Sequence, residues 1–321
     1  MGGACSGDGG REHTYVSFDI SPDGHVVTFA PANGVAGLYA LDLQARTVRQ
    51  LASVQGIASS PAFSPDGNEI VFASAVGRDA PFHLFVYSSA TRAVSQITSE
   101  SSASDRDPSY SSDGSTIVFA RAYLQRPYST GGLTWNDWEI VTIRRDGSNL
   151  RVRTSRKYYQ LTSPRFAAND MQVVYSATDT GHTVRPILWR ASLQSPQPPR
   201  SFSPSVTKNA CGSRGSDPQF SRDQQVMTFI ADGQQCFAYD IYVMGQDTAD
   251  VKALGVTLVT TYNKNPVFLP RTAQVLYLAA TQEAGGGRGR YSLYSVGSDG
   301  SDPHEIAGPE LFDDPHHWRS K

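Results

Sequence analysis

A short motif recurs six times along the 321-residue chain. The copy "FSPDGNEIVFAS", which begins at Phe63, contains an aromatic residue, a Ser-Pro-Asp-Gly turn and an alternating run rich in Val, Ile and Phe. The residues that align with Ser64 of this copy in the other five are Ser21, Ser111, Ala167, Ser221 and Leu269. Successive copies are separated by 43, 47, 56, 54 and 48 residues. A repeat of this length is typical of solenoids, propellers and arrays.

Each repeat is predicted to form four short strands. The aromatic residue ends a first strand, and the Pro and Gly that follow favour a tight turn. The second strand is rich in β-branched and aromatic residues, and a third strand such as "HLFVYSS" follows it. The segments expected to form the fourth strands are "VRQLA", "VSQIT", "YYQLT", "PRSFS", "GVTLVT" and "PHEIA". Four antiparallel strands repeated six times predict an all-β, six-bladed β-propeller. The alternative is a β-sandwich with fortuitous internal similarity.

Composition and length limit the classes of function. The chain has 28 basic and 30 acidic residues and a net charge of −2, which argues against a broad nucleic-acid-binding surface. No apolar run approaches the roughly 20 residues that span a bilayer, so no transmembrane segment is expected. Residues 14–321 are predicted to form a single propeller domain, and residues 1–13 are predicted to form a flexible tether before it. The protein is expected to be a monomer.

The repeat also resembles that of a known family. The segments "DPSYSSDGSTIVFAR" from Asp107, "DPQFS" from Asp217 and "SPAFSPDGNEIVFAS" from Ser60 resemble the TolB-like propeller repeat. The resemblance implies an exported propeller that acts as a binding or scaffold module at the bacterial cell envelope. The α/β domain that precedes the propeller of TolB is not expected here, because only some 14 residues precede the first strand. A Gly-x-Ser-x-Gly nucleophile motif is missing from the sequence, which argues against a serine peptidase.

Loop lengths indicate which end of the propeller binds a partner. The turns between first and second strands are uniformly tight and lie on one face, here called the tight-turn face. The connections between second and third strands, and between blades, lie on the other face and include several long segments. This second end is here called the long-loop face. Long loops on a rigid scaffold often carry binding sites, although tolerated surface insertions would look the same.

The most distinctive of these loops runs from Tyr123 to Trp138. Exposed aromatic side chains beside polar groups suit the recognition of a protein, peptide or glycan. The residues predicted to contact such a partner are Arg121, Tyr123, Tyr128 and Trp135. In the alternative interpretation, about half of the aromatic residues only fasten the loop to its blade.

Polar residues precede the first strands of several blades, nearest the propeller axis. Asp107 and Asp217 each precede a proline, and Arg165 and Lys264 occupy comparable places. The carboxylates are predicted to meet a basic ligand or a divalent cation at the mouth of the axial channel. The alternative, favoured by their recurrence, is that they stabilise their own turns by accepting backbone N–H bonds.

An enzyme is the alternative class of function. A lyase or cyclase-like activity would need polar residues to converge in an axial pocket from distant blades. The candidate set is His182, Arg185, Asp314, His316 and His317. No metal-binding motif such as His-Glu-x-x-His occurs in the sequence, and no dedicated cofactor is expected.

The cysteines indicate the cellular compartment. Cys211 and Cys236 are both predicted to lie on the long-loop face, where a disulfide between them would imply an oxidising compartment. Two free thiols are the alternative. Cys5 in "GGACSGDGG" resembles the end of a bacterial lipobox, which implies a lipid anchor in the periplasm or at the outer membrane. A flexible tail without function is the alternative.

The C-terminal segment "LFDDPHHWRSK" follows the sixth repeat. It is predicted to lie on the long-loop face near blades 1 and 6 and to help close the ring. Trp318 is expected to supply much of its buried area, with Asp314, His316 and His317 beside the channel mouth. These residues would serve either as a latch for the ring or as a wall of a pocket.

Overall fold

The structure, a computed structural model, describes residues 16–31, 36–77, 80–125, 134–178, 186–195, 197–202, 215–232, 239–245, 251–256, 262–282 and 288–312. These residues form six four-stranded sheets, each built from four consecutive antiparallel strands. The predicted six-bladed β-propeller is therefore confirmed. Among the described residues there is no helix long and apolar enough to cross a bilayer.

The strands follow the chain without exchange between blades. Blades 1 and 2 contain β1 (Ser17–Ile20), β2 (Val26–Ala30), β3 (Leu38–Asp42), β4 (Thr47–Ala52), β5 (Ile57–Phe63), β6 (Glu69–Ala75), β7 (His83–Ser88) and β8 (Val94–Gln96). Blades 3 and 4 contain β9 (Ala103–Tyr110), β10 (Thr116–Gln125), β11 (Thr134–Arg144), β12 (Arg151–Val152), β13 (Gln160–Ala167), β14 (Gln172–Thr178), β15 (Ile187–Ser192) and β16 (Arg200–Phe202). Blades 5 and 6 contain β17 (Ser216–Phe220), β18 (Val226–Asp232), β19 (Tyr239–Gly245), β20 (Val251–Ala253), β21 (Tyr262–Phe268), β22 (Gln274–Gln282), β23 (Arg288–Gly297) and β24 (His304–Ala307), followed by a 3-10 turn at Pro309–Leu311.

The recurring turn is held by its own side chains. In blade 2, the Ser64 hydroxyl donates to the Asp66 carboxylate at 2.5 Å and accepts the Glu69 N–H at 2.9 Å. The same carboxylate accepts the Asn68 N–H at 3.0 Å, and Gly67 has a φ of 75°, which glycine adopts without strain. Blades 1 and 3 repeat these bonds. The Ser-Pro-Asp-Gly sequence thus recurs because each residue closes the same turn.

The turns also join neighbouring blades. A Cβ atom on Gly67 would lie 3.3 Å from Pro22 of the preceding blade, and one on Gly114 would lie 3.3 Å from Pro65. The proline of one turn therefore lies directly against the glycine of the next. In blades 4 and 5, where this glycine is missing, Asp170 and Gln224 bond each other instead, with Gln224 Nε2 donating at 2.7 Å.

Two predicted fourth strands are wrong. The segment "YYQLT" contributes instead to the first strand of blade 4, because Gln160 pairs with Thr178 of β14. The first strands are longer than the motif suggests, since most contain a bulge before the proline. Blade 3 closes with Arg151–Val152, which pairs with Thr142 and Val141. Blade 5 closes with Val251–Ala253 rather than "GVTLVT".

Within the described part of the chain, blades 1 and 6 meet through side chains rather than through a shared sheet. Among the described strands, neither end of the chain adds a strand to the sheet at the other end. Phe312 is fully buried between the two blades, and its ring centroid lies 5.0 Å from that of Phe29. Arg46 of blade 1 also donates to the Ile306 carbonyl of blade 6 at 2.7 Å.

Candidate binding site

A cavity of about 520 Å³ lies on the propeller axis at the tight-turn face. All six blades contribute to its wall, and its outer part is formed by the turns between first and second strands. Two positions before the turn, the first strands place one residue at a common level, and all of these residues except Ala62 line the cavity wall. These residues are Asp19, Ala62, Ser109, Arg165, Gln219 and Val267. This set of six is here called the axial ring.

The axial ring has one acidic and one basic residue on opposite blades. Asp19 of blade 1 accepts the N–H groups of Phe63 at 2.7 Å and Ile20 at 2.9 Å. Arg165 of blade 4 donates through Nε to the Gln219 side chain at 2.9 Å and through Nη1 to the Pro164 carbonyl at 2.8 Å. The cavity wall is thus dipolar, and both charged groups are fixed by hydrogen bonds.

Burial changes the proton affinity of Asp19. Asp19 faces the cavity but is enclosed by the surrounding strands, and this burial raises its pKa from 3.8 to about 6. The two backbone N–H bonds and the charge of Arg165 act in the opposite direction. Burial also lowers the pKa of Arg165, against the charges of Asp107, Asp19 and Asp217.

We expect Asp19 to titrate near pH 6 in an NMR titration of the aspartate carboxyl carbons. The matched control is Asp23, whose pKa is lowered by hydrogen bonds from the Ser21 hydroxyl and the His25 N–H. The folded chain binds the Asp19 proton more tightly than the unfolded chain does. Protonated Asp19 therefore adds its full contribution to the stability of the fold only below pH 3.8, and this contribution is lost as the pH rises through about 6. An Asp19 carboxyl that titrates at or below 4 would contradict the assignment.

Asp107 and Asp217 belong to a belt of hydrogen bonds between blades. Five first strands have a positive φ at the residue before proline, namely Ser60, Asp107, Ser163, Asp217 and Asn265. Asp107 accepts the Ser60 hydroxyl at 2.5 Å and the Ser163 N–H at 3.1 Å, and Asp217 accepts the Ser163 hydroxyl at 3.2 Å. The belt lies two residues before the axial ring in each strand. These contacts favour the structural alternative for both aspartates.

Asp217 also interacts with charged neighbours. Burial raises its pKa, and the charge of Lys264 opposes that change. Among the described residues there is no group of three or more His, Cys, Asp or Glu side chains that could hold a metal ion.

Arg121 is buried inside blade 3 rather than displayed on a loop. Its Nε and Nη2 donate to the two oxygens of Asp105 at 2.6 and 2.9 Å, and its Nη1 donates to Glu100 at 3.0 Å. The side chain of Arg121 is 3% exposed and that of Asp105 is 0% exposed. Arg121 therefore fastens β10 to β9.

The two ends of the region predicted as the most distinctive loop are paired strands of a hairpin. β10 extends to Gln125 and β11 begins at Thr134, so Leu124 pairs directly with Trp135. Leu124 is 39% exposed, and Trp135 is partly buried against the core between blades 3 and 4. This pair gives the long-loop face an apolar contact point.

Tyr123 is held at the base of the same hairpin. Its hydroxyl donates to Glu139 at 2.6 Å, and the Lys157 ammonium lies 4.6 Å from its ring centroid and also pairs with Glu139. Burial, followed by the hydrogen bond to Glu139, raises the pKa of Tyr123 to about 12. Tyr123 is therefore fixed in orientation, while part of its surface stays accessible.

Several predicted residues lie outside the part of the chain that the structure describes. They are Cys5, Tyr128, His182, Arg185, Cys211, Cys236, Asp314, His316, His317 and Trp318. The predictions of partner contacts, catalysis, a disulfide and a lipid anchor at these positions stay predictions.

Sequence reasoning missed Asp19, Gln219 and Arg222, which line the axial cavity. The available signal was variation between the copies. The six blades have six different residues at the position of Asp19, and the other five blades have an uncharged residue at the position of Arg222. Residues that break a structural repeat while facing a cavity are candidates for function.

A family model described as the TolB beta propeller domain matches residues 10–127. Over 79 residues, or 24% of this chain, the sequence is 34% identical to the Tol-Pal system protein TolB of Francisella tularensis subsp. holarctica (strain OSU18). That match covers only 18% of the relative's length.

Solved structures share the fold. TolB from Acinetobacter baumannii has a TM-score of 0.68 at 17% identity, covering 90% of this chain and 65% of that chain. An oligogalacturonate lyase in complex with manganese has a TM-score of 0.59 at 16% identity, covering 90% of this chain and 75% of that chain. At such identities the likeness shows the fold alone. The recurring motif, the six four-stranded blades and the family model matched over residues 10–127 together show a six-bladed β-propeller whose repeats are similar to those of the TolB propeller domain.

Proposed function

We propose that this protein is a binding module of the bacterial cell envelope that holds a segment of a partner protein in its axial cavity. The cavity at the tight-turn face carries this proposal. Its volume of about 520 Å³ falls in the range of ordinary ligand pockets. The partial match to a Tol-Pal system protein TolB supports an envelope role.

The wall of the cavity suits a peptide segment. Ile20, Phe63, Phe220 and Val267 supply apolar surface, and Gln219 adds a polar group. The pyrrolidine rings of Pro22, Pro65 and Pro270 stiffen the rim. A preformed, stiff site reduces the entropy lost on binding.

The long-loop face is a second candidate surface for a protein, peptide or glycan. The exposed Leu124 pairs there with the half-buried Trp135, and Tyr123 is held beside them. Aromatic side chains of this kind often dominate binding energy. Tyr123, Leu124 and Trp135 do not line the axial cavity, so the two candidate surfaces can be tested separately.

Catalysis is the second candidate function, favoured by one observation. A carboxyl whose pKa is about 6 can act as a general acid or base near neutral pH. Asp19 is such a group and faces the cavity. A lyase-like activity would then require the Asp19 carboxyl, whereas the binding function does not depend on proton transfer by Asp19.

Location and modification complete the proposal. A location in the periplasm or at the cell envelope is compatible with the similarity to TolB, with a disulfide between Cys211 and Cys236, and with lipid attachment at Cys5. Recovery of the protein from the native envelope fraction checks the location. Mass spectrometry of that protein, without and with thiol reduction, checks the disulfide and the lipid.

The test is selection of a displayed library of random peptides on the full chain, followed by fluorescence anisotropy with the selected peptide. Ser109 is 7% exposed and lines the cavity. We expect Ser109→Trp to weaken binding about tenfold or more, because the indole occupies the cavity. Ser109→Met, which adds less volume, should give a smaller loss.

Trp135→Ala is the matched control at the opposite face. It should leave binding to the cavity unchanged. If Trp135→Ala weakens binding and both Ser109 variants bind normally, the long-loop face is the site and the axial proposal is wrong. Thermal melting of each variant shows that the chain is folded, and a selection that yields no binding peptide also counts against the proposal.

A further inference from the structure

Arg222 crosses the mouth of the axial cavity. It lies in the turn of blade 5 and is exposed, yet its Nη2 donates to the Pro65 carbonyl of blade 2 at 3.0 Å. Its Nη1 lies 3.5 Å from the Pro22 carbonyl of blade 1. Blades 2 and 5 face each other across the axis of a six-bladed ring. The guanidinium therefore spans the opening through which a ligand would reach the axial ring.

Arg222 is also a departure from the repeat. The corresponding residue of the other five turns is uncharged in every case. These residues are Pro22, Pro65, Ser112, Ala168 and Pro270. A proline at this position contacts the glycine of the next turn, as Pro22 contacts Gly67. In blade 5 an arginine replaces this proline, so the turn has no pyrrolidine ring and places a cation over the cavity instead.

The charges around the cavity favour an anion over a cation. The charged residues of its wall are Asp19, Arg165, Arg222, Asp223 and Arg271. Cations therefore outnumber carboxylates three to two. Both carboxylates already accept hydrogen bonds within the fold, whereas the bonds of Arg222 go to neutral carbonyl oxygens, so the positive charge of Arg222 is available to a ligand.

Hydrogen bonds show how the two carboxylates are used. Asp19 accepts two backbone N–H groups, as described above. Asp223 accepts the Ser221 hydroxyl at 2.6 Å and the Gln225 N–H at 3.1 Å within its own turn. These bonds lower the pKa of Asp223 and keep its charge at the turn. A basic ligand would have to replace bonds that hold the first strand or the turn.

The bonds made by Arg222 are easier to replace. Its partners are neutral carbonyl oxygens, and the contact to Pro22 lies at the long limit of a hydrogen bond. A guanidinium binds a carboxylate through two parallel, charge-assisted bonds that are roughly twice as strong as bonds between neutral groups. A carboxylate that arrives at the mouth therefore competes well for Arg222.

We infer that the axial cavity selects a partner segment bearing an acidic side chain or a terminal carboxylate, and that Arg222 exchanges its contacts with Pro22 and Pro65 for that carboxylate. This inference rests on the proposed function. It assigns Arg222 as the residue that sets ligand specificity and releases the mouth of the cavity when the acidic group binds.

The experiment uses the peptide selected on the full chain and a neutral version of it. In the neutral version every Asp and Glu is replaced by Asn and Gln, and the C-terminus is amidated. Affinities are measured for the wild type, Arg222→Gln, Arg222→Lys and Arg144→Gln. Arg144 is exposed and its turn lies on the same face, so Arg144→Gln removes one positive charge outside the cavity.

We expect Arg222→Gln to lower the affinity for the acidic peptide about tenfold or more, which is the usual effect of losing a hydrogen bond to a charged group. Arg222→Lys should give an intermediate loss, because the ammonium keeps the charge without the planar fork. Arg144→Gln should change nothing. The neutral peptide should bind the wild type more weakly than the acidic peptide and should be insensitive to Arg222→Gln. Added sodium chloride should weaken only the acidic peptide.

The outcomes separate this inference from the proposed function. If Ser109→Trp abolishes binding but the neutral peptide binds as well as the acidic one, the inference is overturned and the axial site stands. The same holds if the selected peptides contain no acidic group, or if Arg222→Gln binds normally. If Ser109→Trp leaves binding unchanged, the axial site itself is wrong.

Discussion

Replacing Arg121 with methionine is expected to lower the free energy of unfolding by about 3–5 kcal/mol, the usual cost of breaking a buried ion pair. Arg121 and Asp105 form a two-bonded pair at 2.6 and 2.9 Å, and both side chains are almost completely buried. Methionine keeps much of the volume of the arginine stem but leaves the Asp105 carboxylate without its countercharge. Denaturation by urea, followed by tryptophan fluorescence, measures the loss.

Two controls test this explanation. Glu100 also contacts Arg121 but is 51% exposed, so Glu100→Ala should cost less than about 1 kcal/mol. The double variant Arg121→Met with Asp105→Leu removes both charges. It should be more stable than Arg121→Met alone, because no charge stays buried without a partner. A double variant that is less stable would show that packing, rather than the unpaired carboxylate, causes the loss.

In blade 3 the pairing of β10 with β11 could not be predicted from the sequence. The segment from Tyr123 to Trp138 is polar and aromatic, and it was predicted to be a loop that displays these residues. The fold instead continues β10 and β11, because Leu124 and Trp135 pair across the hairpin and Trp135 packs on the core. Such pairing depends on contacts between strands, and a pattern along one strand does not specify it.

The repeat made the fold predictable for a local reason. Ser64, Asp66 and Gly67 close their turn through bonds within six residues of sequence, so the motif carries the turn wherever it occurs. Strand limits were less predictable. The bulge at Ser163 lengthens β13 toward its start, and residues assigned to blade 3 therefore belong to blade 4.

The candidate site was less predictable than the fold. Loop length predicts the long-loop face as the binding surface. The axial cavity is built from tight turns and the first strands before them, and its distinctive residues lie at positions where the six copies differ. Asp19 and Arg222 become meaningful only when the ring places them around one axis. The positions of Asp19 and Arg222 both differ between the six aligned copies of the repeat, so the sequence does contain a signal for them.

Ending the chain at Gly308 is expected to lower the free energy of unfolding by about 3–5 kcal/mol, the usual cost of removing a buried phenylalanine. This truncation removes Leu311 and Phe312, which fill the seam between blades 1 and 6. Phe312 is fully buried and meets Phe29 in an edge-to-face contact at 5.0 Å. Because no shared sheet closes the ring among the described strands, these side chains carry much of the closure.

The matched comparison is a chain that ends at Phe312. It keeps the 3-10 turn Pro309–Leu311 and the buried ring but lacks residues 313–321. We expect this chain to unfold close to the wild type, and the point variant Phe312→Ala to unfold like the chain that ends at Gly308. If the chain ending at Phe312 is destabilised as strongly as the shorter one, the closure depends on the last residues. That result would favour the prediction made from the sequence, in which Trp318 supplies much of the buried area of the C-terminal segment that closes the ring.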